Sequence, residues 1–275
     1  MRRLLLLVSL PCTGTAAAQE RTAASTAPLP IQDNSFLVEE AYNQEWGVVQ
    51  HISSLTRMRG GGGWEYAFTQ EWPVAGQRHQ LSYTLPVSRT AAAAGSRAGV
   101  GDVALNYRLQ LGGTEGSAVA IAPRVTVLLP TGSSRRGLGA GGAGVQVNLP
   151  FSAVLSASLV VHSNAGMTYT PGARDALGNR APTTDYTVAQ SVVWLARSRF
   201  NVLLEAVWNR TRKVAGPGRT EPSTEVLLSP GIRGAVDFRS GLQVVPGIAF
   251  PIGVGPSRGE RRVFAYLSFE HPFAK

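Results

Sequence analysis

Cysteine is almost absent. Cys12 is the only one in 275 residues, and it falls within an N-terminal stretch that has the form of a cleaved export signal. Leu10 and Pro11 precede it where a lipid-attachment site would carry small residues. The mature chain therefore has no disulfide and no thiolate for a metal. Long hydrophobic runs are missing too: no later segment reaches the roughly 18 uninterrupted apolar residues of a membrane helix. A chain of this kind meets a bilayer only as strands. Charge is sparse, at 16% of residues, and leans to one sign, with 26 basic against 17 acidic side chains for a net +9. Removing Arg2 and Arg3 with the signal leaves +7. Nucleic acid is not the expected partner, because an exported chain without a clustered basic patch and interleaved aromatics lacks that footprint.

Catalytic signatures are equally scarce. No G-x-S-x-G occurs. The G-x-G-x-x-G run from Gly137 to Gly142 has strand-like sequence on both sides and not the helix a dinucleotide site requires, so it is a flexible loop. His51, His79, His162 and His271 are far apart in sequence, with no H-x-x-x-H spacing, and only folding would assemble a metal site from them. His162 has Ser156, Ser158 and Ser163 nearby, but no third group is positioned to orient a nucleophile and base. The expectation is no enzyme, no cofactor and no metal.

What the chain does have is turns and alternation. Its 31 Gly and 17 Pro suit many turns between many strands. Mean hydropathy is +0.01, as expected for a barrel in which half of each strand is polar. Residues 1–18 form the signal: Arg2 and Arg3, an apolar run from Leu4 to Leu10, and Ala16-Ala17-Ala18 as the cleavage site. Residues 19–46 form a leader. Within it Asn34 or Ser35 is placed to cap a helix of at most three turns, as a periplasmic clasp, a plug at a barrel mouth or a surface turn.

Residues 47–275 hold about twelve strand-like runs. The clearest hairpin places Val103, Leu105, Tyr107, Leu109 and Leu111 on one parity, then Val119, Ile121, Val125, Val127 and Leu129. Each run is about ten residues, the length of a tilted membrane strand. The first run, Val48 to Arg57, alternates only weakly; in the clear runs after it, charge avoids the apolar parity. Glu65, Glu71, Asp102, Arg108, Arg124, Glu205, Glu225, Arg233, Arg262 and Glu270 all take the other one, which His162 shares. On the apolar parity of those clear runs only Gln70 and Gln190 are strongly polar. Alternation alone fits a soluble sandwich or a membrane barrel. Connection lengths separate them, because long segments (88–99, 131–142, 165–185, 209–223, 253–261) alternate with short ones (112–116, 150–152, 197–199, 237–241), the pattern of outer loops and periplasmic turns. The long segments carry Arg89, Arg97, Arg135, Arg136, Arg174, Arg180, Arg210, Arg212, Lys213, Arg219 and Arg258. A basic rim of this kind meets outer-leaflet glycolipid phosphate or simply solubilises the loops. Trp64, Trp72, Tyr186, Trp194, Phe200, Trp208, Phe250 and Phe269 lie near run ends, where interfacial girdles form.

The string NSFLVEEAYNQEWGVVQHI (34–52) resembles the start of the outer-membrane transporter-like family named for the MetA pathway of phenol degradation. Similar to that family as well are FTQEWPV and RHQLSYTLP (68–86), VGDVALNYRLQL (100–111), and PRVTVLLPTG with GVQVNLP (123–150). The likeness covers essentially all of the mature chain. It departs at Trp46, where proline is expected. It implies an outer-membrane β-barrel moving small, aromatic or hydrophobic compounds, and brings no binding motif. A terminal strand with an aromatic near its end also resembles the assembly signal read by the barrel-assembly machinery.

The sequence thus predicts an all-β, transmembrane, antiparallel up-and-down barrel with both termini periplasmic. Its charged parity faces the lumen, either paired across it or set as a field that orients a solute. The expected partners are outer-membrane lipid and glycolipid, the assembly machinery and a small solute.

Overall fold

In the computed structural model, which describes residues 31, 33–60, 62–90, 96–113 and 117–273, the alternating runs are antiparallel strands. The expected export signal at residues 1–18 and residues 19–30 lie outside the described residues. Twelve strands follow one another around a closed ring. They are β1 (Val48–Met58), β2 (Trp64–Pro73), β3 (His79–Thr90), β4 (Arg97–Val100 and Val103–Leu109), β5 (Val119–Ile121 and Arg124–Leu129) and β6 (Gly144–Ser156). Then come β7 (Leu159–Arg174), β8 (Arg180–Arg197), β9 (Phe200–Gly216), β10 (Arg219–Gly234 with Val236–Asp237), β11 (Gln243–Ala249 with Ile252–Gly253) and β12 (Arg262–Pro272). Each pairs with its neighbours in sequence. β12 closes on β1 in unbroken register from Val48 opposite Pro272 to Met58 opposite Arg262, so the sheet has no free edge.

The interruptions within strands have local causes. Pro123 and Pro251 lack the N–H a ladder needs, and both halves of β5 keep the same register against β6. At Gly101-Asp102 the register of β4 against β3 slips by one residue, a bulge.

Parity decides inside from outside. Leu105, Val125 and Leu204 are 48%, 47% and 53% exposed on the outer wall, whereas Arg108 and Glu205 are 3% and 0% exposed within. The arrangement is therefore that of a barrel with an apolar belt and not of a sandwich with an apolar centre. Gln70 and Gln190, on the outer parity, are satisfied by neighbouring side chains. Gln70 accepts from Tyr83 Oη at 2.9 Å, and Gln190 accepts from Ser163 Oγ at 2.7 Å.

Three expectations need correction. Residues 165–185 and 209–223 are not loops: they lie in β7 to β10, which are 16 to 18 residues long and joined there only by turns 175–179 and 217–218. Beyond the apolar band both faces of a strand meet water, so the pairing continues after the two-residue hydrophobic period has stopped. The 175–179 turn is tied by Asp175, which accepts from Asn179 Nδ2 and from the N–H groups of Leu177 and Asn179 at 2.8–2.9 Å. Those bonds, the Asn179 side chain first, hold its carboxyl below the usual aspartate range. Residues 150–152 lie within β6, and the turn after it is 157–158. The third correction is that residues 34–46 contain no helix.

Candidate functional site

The leader lies inside the barrel. From Asp33 to Gln44 it follows the inner wall, and its side chains, except those of Asn34, Leu37 and Glu39, are buried. A non-helical chain in a closed lumen needs partners for its backbone N–H groups, and the wall supplies them as side-chain oxygens. Leu37 and Val38 donate to Glu205 Oε1 at 2.8 and 3.2 Å. Glu39 donates to Asn164 Oδ1, Ala41 to Ser152 Oγ, Asn43 to Gln110 Oε1 and Gln44 to Gln80 Oε1, each at 2.8 Å. Glu40 is satisfied within the segment by Asn34 Oδ1 at 3.1 Å. From β9 the partners step through β7, β6 and the end of β4 to β3, so the segment circles the lumen before entering β1.

Charge fixes both ends of this path. Asp33 accepts from Gln50 Nε2, Tyr266 Oη and Ser268 Oγ at 2.6–2.8 Å. Arg233 Nη1 donates to the carbonyls of Asp33 and Asn34. Arg108 reaches Asn43 Oδ1 and the carbonyls of Glu40 and Tyr42 at 2.7–3.2 Å, with Glu71 at 3.9 Å. Arg124 forms a two-armed pair with Glu39 of the segment, at 2.6 and 3.0 Å.

Apolar packing completes the seal. Phe36 sits between Phe264 and Tyr266, with centroids 5.6 and 5.4 Å away, in a cluster with inward-facing Val193, Leu203, Val245 and Ala249. Val38 packs on Ala189, Val207 and Leu227. Gly231 and Gly247 make room for the Phe36 ring, since a Cβ at Gly247 would stand 2.4 Å from its Cε1.

The other residues singled out by parity take different places. His162 Nδ1 meets Ser152 Oγ at 2.7 Å, and the same hydroxyl accepts Ala41 N–H. This buried Ser–His pair therefore holds the leader, while Ser163 faces outward to Gln190. Glu270 accepts from Gln44 Nε2 at 3.3 Å. Glu225 and Arg262 form an ion pair that Glu260 joins at 2.7 Å. Asp102 accepts from the N–H groups of Gly132 and Ala140 at 2.9 and 2.6 Å, pinning the connection after β5. Glu65 is exposed near the start of β2. Charge alone did not single out Gln50, Gln80, Gln110, Ser152 and Asn164. Their signal is an uncharged amide or hydroxyl on the charged parity.

A cavity of about 370 Å³ lies on one side of the leader, lined by Ser82, Thr84, Asn106, Arg124 and Gln146 with Phe36 and Tyr266. Another of about 360 Å³ lies toward the strand ends that hold Val48 and Pro272. The leader thus lies across the lumen between the two cavities.

Solved structures share the barrel fold. The COG4313 outer membrane channel from Pseudomonas putida F1 superposes with a TM-score of 0.60 at 14% identity, over 88% of this chain and 99% of that one. A NanC porin gives 0.53 at 9% identity and a KdgM porin 0.52 at 8%, each over 80% of this chain and 98% of the other. This is a porin-type outer-membrane barrel fold. At the level of sequence, no family model and no curated protein matches the chain.

Proposed function

We propose that the protein is an outer-membrane channel for small solutes, aromatic or hydrophobic ones among them, held shut by its own leader. It is exported through removal of residues 1–18 and inserted by the barrel-assembly machinery. Segments 34–52, 68–86, 100–111 and 123–150 support membership of the family named for the MetA pathway of phenol degradation. The observation that carries the channel reading is the capture of leader N–H groups by wall side chains, with a cavity on either side. Side-chain bonds of this kind can be exchanged for water one at a time, which suits a removable partition better than a permanent core. The chemistry is passage and not catalysis. The cavity is lined by hydroxyls, amides and the Arg124–Glu39 pair together with the rings of Phe36 and Tyr266, and accommodates solutes with one polar and one aromatic face.

Single-channel recording in planar bilayers tests this. Arg108→Ala removes three hydrogen bonds to the leader and Arg124→Ala removes the Glu39 pair. Both variants are expected to open more often than the wild-type protein, Arg108→Ala by at least tenfold. Absence of conductance in the wild type and in both variants would overturn the channel reading.

A second reading rests on the far ends of β7 to β10. There Arg174, Arg180, Arg210, Arg212, Lys213 and Arg219 are all exposed, a basic ribbon suited to glycolipid phosphate. In a non-conducting surface-binding barrel, replacing Arg174, Arg180, Arg210, Arg212, Lys213 and Arg219 by Gln would abolish glycolipid binding and leave permeability unchanged, with the paired strands intact.

A further inference from the structure

Closure of the barrel brings together two histidines separated by 220 positions in sequence. His51 is the fourth residue of β1 and His271 the tenth of eleven in β12. They stand diagonally across the seam, because His51 is opposite Phe269 and His271 is opposite Val49. Their Nε2 atoms are 3.3 Å apart, with ring centroids at 5.4 Å and planes within 20° of each other. Phe269 stacks on His51 at 4.8 Å and Phe68 flanks it at 6.1 Å, which fixes the ring orientation. Both imidazoles are partly exposed.

We propose that His51 and His271 form a two-ligand site for a borderline divalent cation of the zinc type, a metal clasp across the first and last strands. The geometry fits such an ion. Two imidazole nitrogens bound at about 2.0–2.1 Å to one tetrahedral centre lie roughly 3.3–3.4 Å apart. At the observed 3.3 Å the two nitrogens are within hydrogen-bond reach, one donating and the other accepting according to tautomer, and the same separation suits a shared ion that takes the place of the proton. Two nitrogen donors with no carboxylate select zinc, copper or nickel over calcium and magnesium, which require oxygen ligands. Among the described residues no group of three or more His, Cys, Asp or Glu side chains is placed to hold an ion. Solvent therefore completes the coordination, and the site answers to the ambient metal concentration and is not permanently loaded. Its effect follows from its position. An ion bound only by the folded barrel adds stability by mass action.

The test uses untagged full-length protein folded in detergent micelles, titrated with zinc chloride alone. Calorimetry should show one ion per chain at micromolar affinity, weakened at least tenfold in His51→Gln and in His271→Gln. Saturating zinc should raise the unfolding temperature of the wild type and leave that of either variant unchanged. Absence of wild-type binding at millimolar zinc, or equal binding in both variants, overturns the proposal. Should a variant fail to fold, wild-type protein decides alone: zinc must protect His51 and His271, and not His79, from diethylpyrocarbonate as read by mass spectrometry. Unprotected rings at the seam would reject the site.

Discussion

Phe36 shows how one side chain seats the leader. Its ring occupies space left by Gly231 and Gly247, where an added Cβ would come within 2.6 and 2.4 Å of ring carbons. Burying a Phe in a complete apolar site and then removing it typically costs about 3–5 kcal/mol, enough to change a closed-to-open ratio more than a hundredfold. Phe36→Ala should therefore open the channel, and Gly247→Ala should do the same by pushing the ring out. The two act through the same contact, so their effects should not add. In the Phe36→Ala background, Gly247→Ala should change open probability little. Additive effects in single-channel records would show that Gly247 serves the strand and not the ring.

At the scale of the element, the leader is held at intervals of one or two residues, and its contact with β8 can be locked. Ser35 Oγ and Ser191 Oγ are 2.8 Å apart. With residues 1–18 removed, as proposed, Cys12 is gone and no cysteine remains, so Ser35→Cys with Ser191→Cys creates a lone pair of thiols held beside each other, which oxidation draws into an S–S bond of about 2.0 Å. Oxidised, this variant should show no openings. Reduced, it should regain wild-type conductance, and openings that persist after oxidation would mean that the leader does not leave as a unit. How much of this was legible in the sequence follows from the same residues. The strands were, because lipid on one side and a polar lumen on the other impose a two-residue period, as in Leu105 against Arg108 and Leu204 against Glu205. The leader's path was not. Ser35, Phe36 and Val38 look like a capped helix until Glu205, Asn164 and the Gly231–Gly247 gap are brought to them, and those partners lie more than a hundred residues away. The far halves of β7 to β10 were also hidden, since Arg210, Arg212 and Lys213 leave no apolar face to count.

For the whole molecule, closure and plugging are separate. The ladder from β1 round to β12 consists of strand-to-strand bonds and includes no residue of the leader. Deleting residues 33–44 would strip Arg108, Glu205 and Arg233, all buried now, of their leader partners. In a solid protein interior, stranding such charges costs about 3–5 kcal/mol each. A barrel emptied of its plug fills with water, and the same groups are solvated again, so most of that penalty does not arise. The apolar contacts of Phe36 and Val38 are lost without replacement. The deletion variant should therefore still insert and migrate as a heat-modifiable closed barrel, unfold at a lower temperature than the full chain, and conduct continuously. Loss of the heat-modifiable form would mean that the leader templates the ring, and the lumen would then be a core and not a passage.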